Sequence, residues 1–301
     1  PSRFARSTCF EAGHLTSVNA GWRSVRPAID AEQCTLCLNC YMYCPDGTIA
    51  KVRDDEGACV AVVVDYDFCK GCGVCTAACP SDAIVLHGYR GDYTGALCLA
   101  EPYYEAGYQV IAPDLRACGE SEGSYVGMGW LDREDILQWI DYITVRDPQA
   151  EIVIHGISMG AATTMMTAGE TTPDAVKAFV EDCGYTSVWD VFSSELQLRF
   201  GLPEFPILYT ASGVARLRAG YSFTEASALA QVARCEKPML FIHGTADDFI
   251  PYEMMDTLYN AKPGDNKAEL TAEGAGHGEA MYALGDSYWD TVFDFIAPYM
   301  A

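Results

Sequence analysis

A chain of 301 residues, half of them apolar, is long enough for two globular units. Its formal charge of −23 repels phosphate backbones and anionic lipid, which makes nucleic acid and membrane surfaces poor partners. The charge is uneven: residues 1–83 hold 7 Lys and Arg against 10 Asp and Glu, and the remainder holds 12 against 32, so the acidity reads as a solvated surface of the C-terminal part. No apolar run reaches the roughly 18 residues of a membrane span, and residues 1–6 have neither a signal core nor an initiator Met. The expectation is a soluble chain trimmed at its N-terminus.

Of the 14 cysteines, eight crowd between Cys34 and Cys79 at short regular spacings, which is metal-ligand clustering and not a disulfide scaffold. The pattern predicts a reducing, cytoplasmic location. The first run is Cys34-x2-Cys37-x2-Cys40-x3-Cys44-Pro45 and the second is Cys69-x2-Cys72-x2-Cys75-x3-Cys79-Pro80. Both match the bacterial ferredoxin pattern, in which three thiolates on a tight loop cap one 4Fe-4S cubane and the fourth reaches across to the other. Two clusters are expected, one on Cys34, Cys37, Cys40 and Cys79, the other on Cys69, Cys72, Cys75 and Cys44. A pair of zinc sites would leave the third cysteine of each run unexplained. Clusters with a purely structural role stay open. Between the runs, a β-rich segment over 57–65 follows the turn signal Asp54-Asp55-Glu56-Gly57 and predicts a hairpin. Gly71 and Gly73 let backbone amides approach the cluster sulfides. Cys9 and Cys59 fall outside the pattern and read as packing residues.

Gly21-Trp22-Arg23, Arg26-Pro27-Ala28-Ile29-Asp30, Cys44-Pro45-Asp46 and Lys70-Gly71-Cys72-Gly73 resemble the delta subunit of pyruvate or 2-oxoacid:ferredoxin oxidoreductase. The resemblance covers residues 1–83. It implies an α+β module with two 4Fe-4S clusters that relays electrons from the catalytic subunits of such an oxidoreductase to external ferredoxin.

From residue 83 onward, short apolar runs alternate with longer helical segments, which predicts a parallel sheet with crossover helices. Strands are expected over 83–87, 108–114, 151–157, 176–182, 238–243 and 267–272. The run Ile152-Val153-Ile154-His155 leads directly into Gly156-Ile157-Ser158-Met159-Gly160, the strand, G-x-S-x-G and helix of a nucleophile elbow. Asp247 follows the fifth of these strands, and His277 follows the last. Ser158, His277 and Asp247 therefore have the types and chain order of a nucleophile, its base and the acid that orients the base, with Asp248 as the alternative acid. Leu86-His87-Gly88-Tyr89-Arg90 reads as an oxyanion loop, with the amides of Tyr89 and Met159 as donors. His87 reads as a turn residue, and His155 and His243, on apolar strands, as satisfied structural histidines. His14 has no evident partner.

These motifs, with Ala112-Pro113-Asp114-Leu115-Arg116 and Gly127-Met128-Gly129-Trp130, resemble the α/β-hydrolase superfamily, in particular bacterial serine hydrolases of the serine-aminopeptidase-like or Bem46-like type. The resemblance covers 84–301 and implies hydrolysis of a small acyl ester. Ala117-Cys118 stands where Gly-His is usual, which puts the shape of that loop in question. An aromatic-rich stretch within 184–235 predicts a helical cap.

The expected architecture is thus a ferredoxin-like domain over 1–83 and an α/β-hydrolase domain over 84–301 that lacks its usual first two strands. No linker separates them, and residues 82–85 read equally as the last ferredoxin strand or the first hydrolase strand. Three organisations remain: an electron-transfer module joined to a working hydrolase, a hydrolase with structural clusters, or a chimeric chain with two uncoupled functions.

Overall fold

A computed structural model describes residues 27–29, 34, 36, 38–54, 57–77 and 81–300. Cys37, Cys79, Cys9, His14 and the segment 21–26 lie outside them. The chain divides into two units, Pro1–Cys79 and Pro80–Ala301, a few residues ahead of the expected boundary.

In the first unit, β1 (Ile49–Arg53) and β2 (Cys59–Val64) pair antiparallel around the turn that begins at Asp54. Asp54 caps that turn, accepting the amide of Ala58 on its carboxylate at 2.8 Å. Two short helices, α1 (Asn39–Tyr43) and α2 (Val74–Ala77), each follow one cysteine loop.

The second unit is built on six parallel strands in the order β4-β3-β5-β6-β7-β8. They are β3 (Ser81–Leu86), β4 (Gln109–Ile111), β5 (Glu151–Ile157), β6 (Val176–Asp182), β7 (Met239–Gly244) and β8 (Lys267–Ala272). β3 pairs with strands on both sides, so residues 82–85 belong to this sheet. β4 is shorter than expected because Pro113, which has no amide proton, closes the segment that follows it.

Alternation sorts the strand residues onto two faces. Ile84, Leu86, Ile152, Ile154, Phe179, Met239 and Phe241 face one apolar layer. That layer is completed by α4 (Asp132–Arg146), α5 (Met159–Ala168), α8 (Ala228–Val232) and α9 (Glu253–Ala261). Ala83, Val85, Val153, Ala178, Val180, Leu240 and Ile242 face the other, beneath α3 (Leu97–Glu105), α10 (Ala280–Leu284) and α11 (Asp286–Ile296). The surface helices show the matching stripe: α4 buries Ile136, Ile140 and Ile143, and α11 buries Tyr288, Val292 and Ile296. Between β6 and β7, α6 (Val188–Phe200) and α7 (Glu204–Ala219) form the cap. Ser187 caps α6 by accepting the amide of Asp190 at 3.0 Å, and Gly201 ends it in the left-handed region.

Candidate functional site

All the strands of the parallel sheet point their carboxyl ends to one rim, where ligands of such sheets bind. Ser158 sits there between β5 and α5 with φ 58° and ψ −117°, a conformation that costs a non-glycine residue on the order of 1–3 kcal/mol. Neighbouring glycines make the turn possible. A Cβ on Gly156 would strike the carbonyl of Gly160, and one on Gly160 would strike that of Leu86. The Ser158 amide donates to the carbonyl of Asp182 at 2.8 Å, tying the elbow to the next strand.

The Ser158 hydroxyl lies 2.8 Å from Nε2 of His277, and His277 Nδ1 lies 2.7 Å from Oδ2 of Asp247. Asp247 is held in turn, its Oδ1 accepting the amides of Phe249 at 2.9 Å and Ile250 at 2.8 Å. Burial works against the Asp247 charge, but hydrogen bonds from His243 and His277 outweigh it and hold the carboxyl well below its usual range. Asp248 is exposed and is not brought to His277. The ring of Phe249 packs against His277 at 5.0 Å, and Arg199 of the cap lies over Phe249 at 5.5 Å. A hydrogen-bonded line of hydroxyl, imidazole and carboxylate can draw a proton from the hydroxyl and stabilise the imidazolium that results.

Gly88 comes close to the nucleophile position, its Cβ direction meeting Ser158 Cβ at 3.6 Å. Tyr89 next to it is exposed, and Met159 opens α5, where amides lack an intrahelical acceptor. Both nitrogens of buried His87 are engaged: Nε2 accepts the amide of Leu115 at 2.9 Å, so Nδ1 donates to the carbonyl of Gly88 at 2.8 Å. Ala117 adopts φ 58°, the left-handed region that Gly would enter freely. The loop closes around it, with Asp114 accepting the amides of Tyr93 at 2.6 Å and Glu120 at 2.8 Å.

The aromatic residues of the cap region divide. Tyr185 is buried and donates to the carbonyl of Met128, Phe192 packs on Phe223 at 4.9 Å, and Trp189 meets Tyr209 edge-on at 4.9 Å. Phe200 and Phe205 face outward.

Several groups near the site escaped sequence reasoning. His155 is satisfied as expected, between Tyr103 at 3.2 Å and Tyr288 at 3.1 Å, and Tyr288 donates onward to Asp182 at 2.8 Å. Burial pushes Asp182 up to about 6 and Glu181 up to about 8. Two consecutive acids closing an apolar strand were the available signal. His243 departs from the expected satisfied state, because its Nδ1 has no partner. Cys183 places its thiol within 4.8 Å of ligand-type atoms of Asp247 and His277, although those two groups are already engaged with each other.

In the first unit, Cys44, Cys69, Cys72 and Cys75 line one cavity together with Asp46, Thr48, Lys70 and Gly73. These are the four cysteines expected for one cluster, and four cysteines lining one cavity fit a cubane's demand for four soft ligands. Cys44 Sγ accepts the amide of Thr48 at 3.4 Å and lies 3.3 Å from its hydroxyl. Burial opposes ionisation of Cys44, but the Thr48 hydrogen bonds prevail and lower its pKa. Lys70 pairs with Asp46 at 3.2 Å. Of the other expected set, Cys34 and Cys40 are described and half-buried, with Cys37 and Cys79 outside the described residues. Leu36 and Leu38 have φ 57° and 65°, and their counterparts Gly71 and Gly73 in the second loop have φ 71° and 76°, all in the left-handed region.

Residues 84–210 match the family model described as alpha/beta hydrolase fold, and residues 23–86 match the 4Fe-4S dicluster domain. The uncharacterized protein YqkD of Bacillus subtilis is 30% identical over 232 residues, covering 77% of this chain and 75% of that one. Pyruvate synthase subunit PorD of Methanocaldococcus jannaschii is 42% identical over 76 residues, covering 25% of this chain and 83% of the relative. Among solved structures, the Pyrococcus furiosus esterase Pf2001 aligns with a TM-score of 0.59 at 21% identity, over 74% of this chain and 84% of that one. The last likeness concerns the fold.

Proposed function

The chain belongs to the α/β-hydrolase family, and on that premise we propose that its second unit is a serine hydrolase of small carboxylic esters carried beside an electron-transfer module. The observation that carries this reading is the unbroken line from Ser158 through His277 to Asp247, at 2.8 and 2.7 Å. Ser158 Oγ attacks the ester carbonyl while His277 Nε2 takes its proton. His277 then returns that proton to the departing alcohol, leaving an acyl-Ser158 ester. Water, deprotonated by His277, attacks this ester and releases the acid. Asp247 holds the His277 tautomer throughout. The amides of Met159 and Tyr89 receive the oxyanion, and losing one such donor raises the barrier by about 3 kcal/mol. The aromatic cap favours an apolar acyl or aryl group.

The first unit takes up two 4Fe-4S clusters, which supply one-electron transfer when bound. Cys44, Cys69, Cys72 and Cys75 hold one, and Cys34, Cys37, Cys40 and Cys79 the other. The Thr48 amide directed at Cys44 Sγ favours the ligating thiolate. The PorD likeness supports ferredoxin and the catalytic subunits of a 2-oxoacid oxidoreductase as partners, and the thiol-rich module supports a reducing cytoplasm.

A fluorophosphonate probe should label the chain, and Ser158→Ala should abolish labelling without changing the melting temperature. A folded, unlabelled wild type would overturn the hydrolase reading. Anaerobic purification should return about eight iron and eight sulfide per chain. Equal labelling rates before and after dithionite reduction would identify the two functions as uncoupled.

A further inference from the structure

His243 lies two residues past Phe241, the register partner of Glu181, so the two side chains leave neighbouring strands on the same face of the sheet. Both residues are fully buried. His243 Nε2 is 3.0 Å from the carbonyl of Ile250 and 3.2 Å from Asp247 Oδ2. Both neighbours are acceptors, so Nε2 carries a proton and donates to them. The same Asp247 oxygen accepts from His277 Nδ1 at 2.7 Å, and the other oxygen accepts two backbone amides. The carboxylate is thereby gripped by two imidazoles and two amides.

Behind this grip, two buried atoms lack partners: Nδ1 of His243 and Oε1 of Glu181. Glu181 Oε2 accepts the amide of Gly184 at 2.9 Å, so only the far oxygen is orphaned. Burial raises the Glu181 carboxyl to about 8, which leaves it protonated at neutral pH and in need of an acceptor. Burial opposes a charge on His243, but Asp247 and Glu181 together raise its pKa above the ordinary imidazole value; in the neutral form, with the proton on Nε2, Nδ1 is an unused acceptor and needs a donor. Their needs are complementary, and a buried water with these two partners satisfies both.

We propose that Glu181 and His243 share one proton through a buried water, and that His243 is a second imidazole clamp on Asp247 that tunes the basicity of His277. His243 is a positioning residue, acting on the reaction through Asp247, and this role rests on the hydrolase reading above. The groups facing it are Glu181 from β6, Asp247 from the loop after β7, and the ring of Tyr252 edge-on at 5.9 Å, while Asp182, on the opposite face of β6, acts on it through its charge alone. Loss of the shared proton leaves a carboxylate charge on Glu181 behind Asp247 and makes His277 the stronger base. Gain of a second proton makes His243 a cation that competes for Asp247 and makes His277 the weaker one.

The test is histidine ¹⁵N NMR of the full chain across pH 5 to 9, with fluorophosphonate labelling of Ser158 alongside. In the wild type, His243 should be protonated on Nε2, and the His277 ring signals should show an upper step that reports loss of the Glu181 proton, at about 8. Glu181→Gln should erase the upper step. His243→Phe should slow labelling by about tenfold or more and shift the His277 curve, and His243→Gln, which restores a donor to Asp247, should recover most of both. Superimposable His277 curves in wild type and Glu181→Gln would overturn the proposal. So would slower labelling in His243→Phe with an unshifted curve, which marks a purely structural role. Where His243→Phe does not fold, the Glu181→Gln curve decides. Should wild-type Ser158 fail to label, the hydrolase reading falls, while the NMR curves still report on the clamp.

Discussion

In the second unit, β3, β5, β6 and β7 bury side chains on both faces, and helices supply an apolar layer on each side. In the first, the buried apolar residues among those described are Ile49, Val62 and Cys69. Such small burial among the described residues offsets little chain entropy, and cluster ligation is expected to add to it. The larger unit is self-sufficient through burial. The smaller one gathers four of its cysteines around one cavity.

The largest effect expected from this contrast follows cluster removal. Chelation under acid or oxygen should unfold the first unit, seen as loss of its cluster absorbance and as proteolysis confined to residues before 80, while the second unit keeps its melting transition. A single melting event lost together with the clusters would break the comparison. Next in size, Phe179→Ala, at a fully buried position of β6, should lower the stability of the second unit by about 3–5 kcal/mol and leave the iron content unchanged.

Titration sharpens the contrast further. Glu181 and Asp182 are raised by burial to about 8 and about 6, so the folded unit binds their protons more tightly than the unfolded chain does. Its stability is therefore fullest near the ordinary carboxylate range and falls as pH rises through about 6 and then about 8. Asp247, held low, contributes above that range and loses its contribution only in strong acid. A lower melting temperature at pH 8.5 than at pH 5.5, with the difference reduced in Glu181→Gln, is the expected readout. The smallest effect belongs to Ala117, whose φ of 58° suits Gly: Ala117→Gly should raise stability by about 1 kcal/mol.

Much of this was legible in the sequence because the decisive signals are local. The elbow needs glycines beside Ser158, the strands are short apolar runs between turn residues, and cysteine ligands cluster on tight loops. Groups whose role depends on neighbours distant in the chain were harder to read. Whether Asp247 or Asp248 meets His277 is decided by the Phe249 and Ile250 amides, which fix one carboxylate and leave the other in solvent. Glu181 and His243 come together only through strand register, and a single sequence does not print register. The shape of the loop at Ala117-Cys118 was open for a similar reason: it is set by Asp114 reaching across to Tyr93 and Glu120.

The left-handed glycines of the second cysteine loop have a consequence for air sensitivity. Gly71 and Gly73 carry no side chain on either side of Cys72, which is exposed, whereas Cys69 at the start of the same loop is buried. An exposed thiol meets dioxygen before a buried one, so oxidation within this loop should start at Cys72 and not at Cys69.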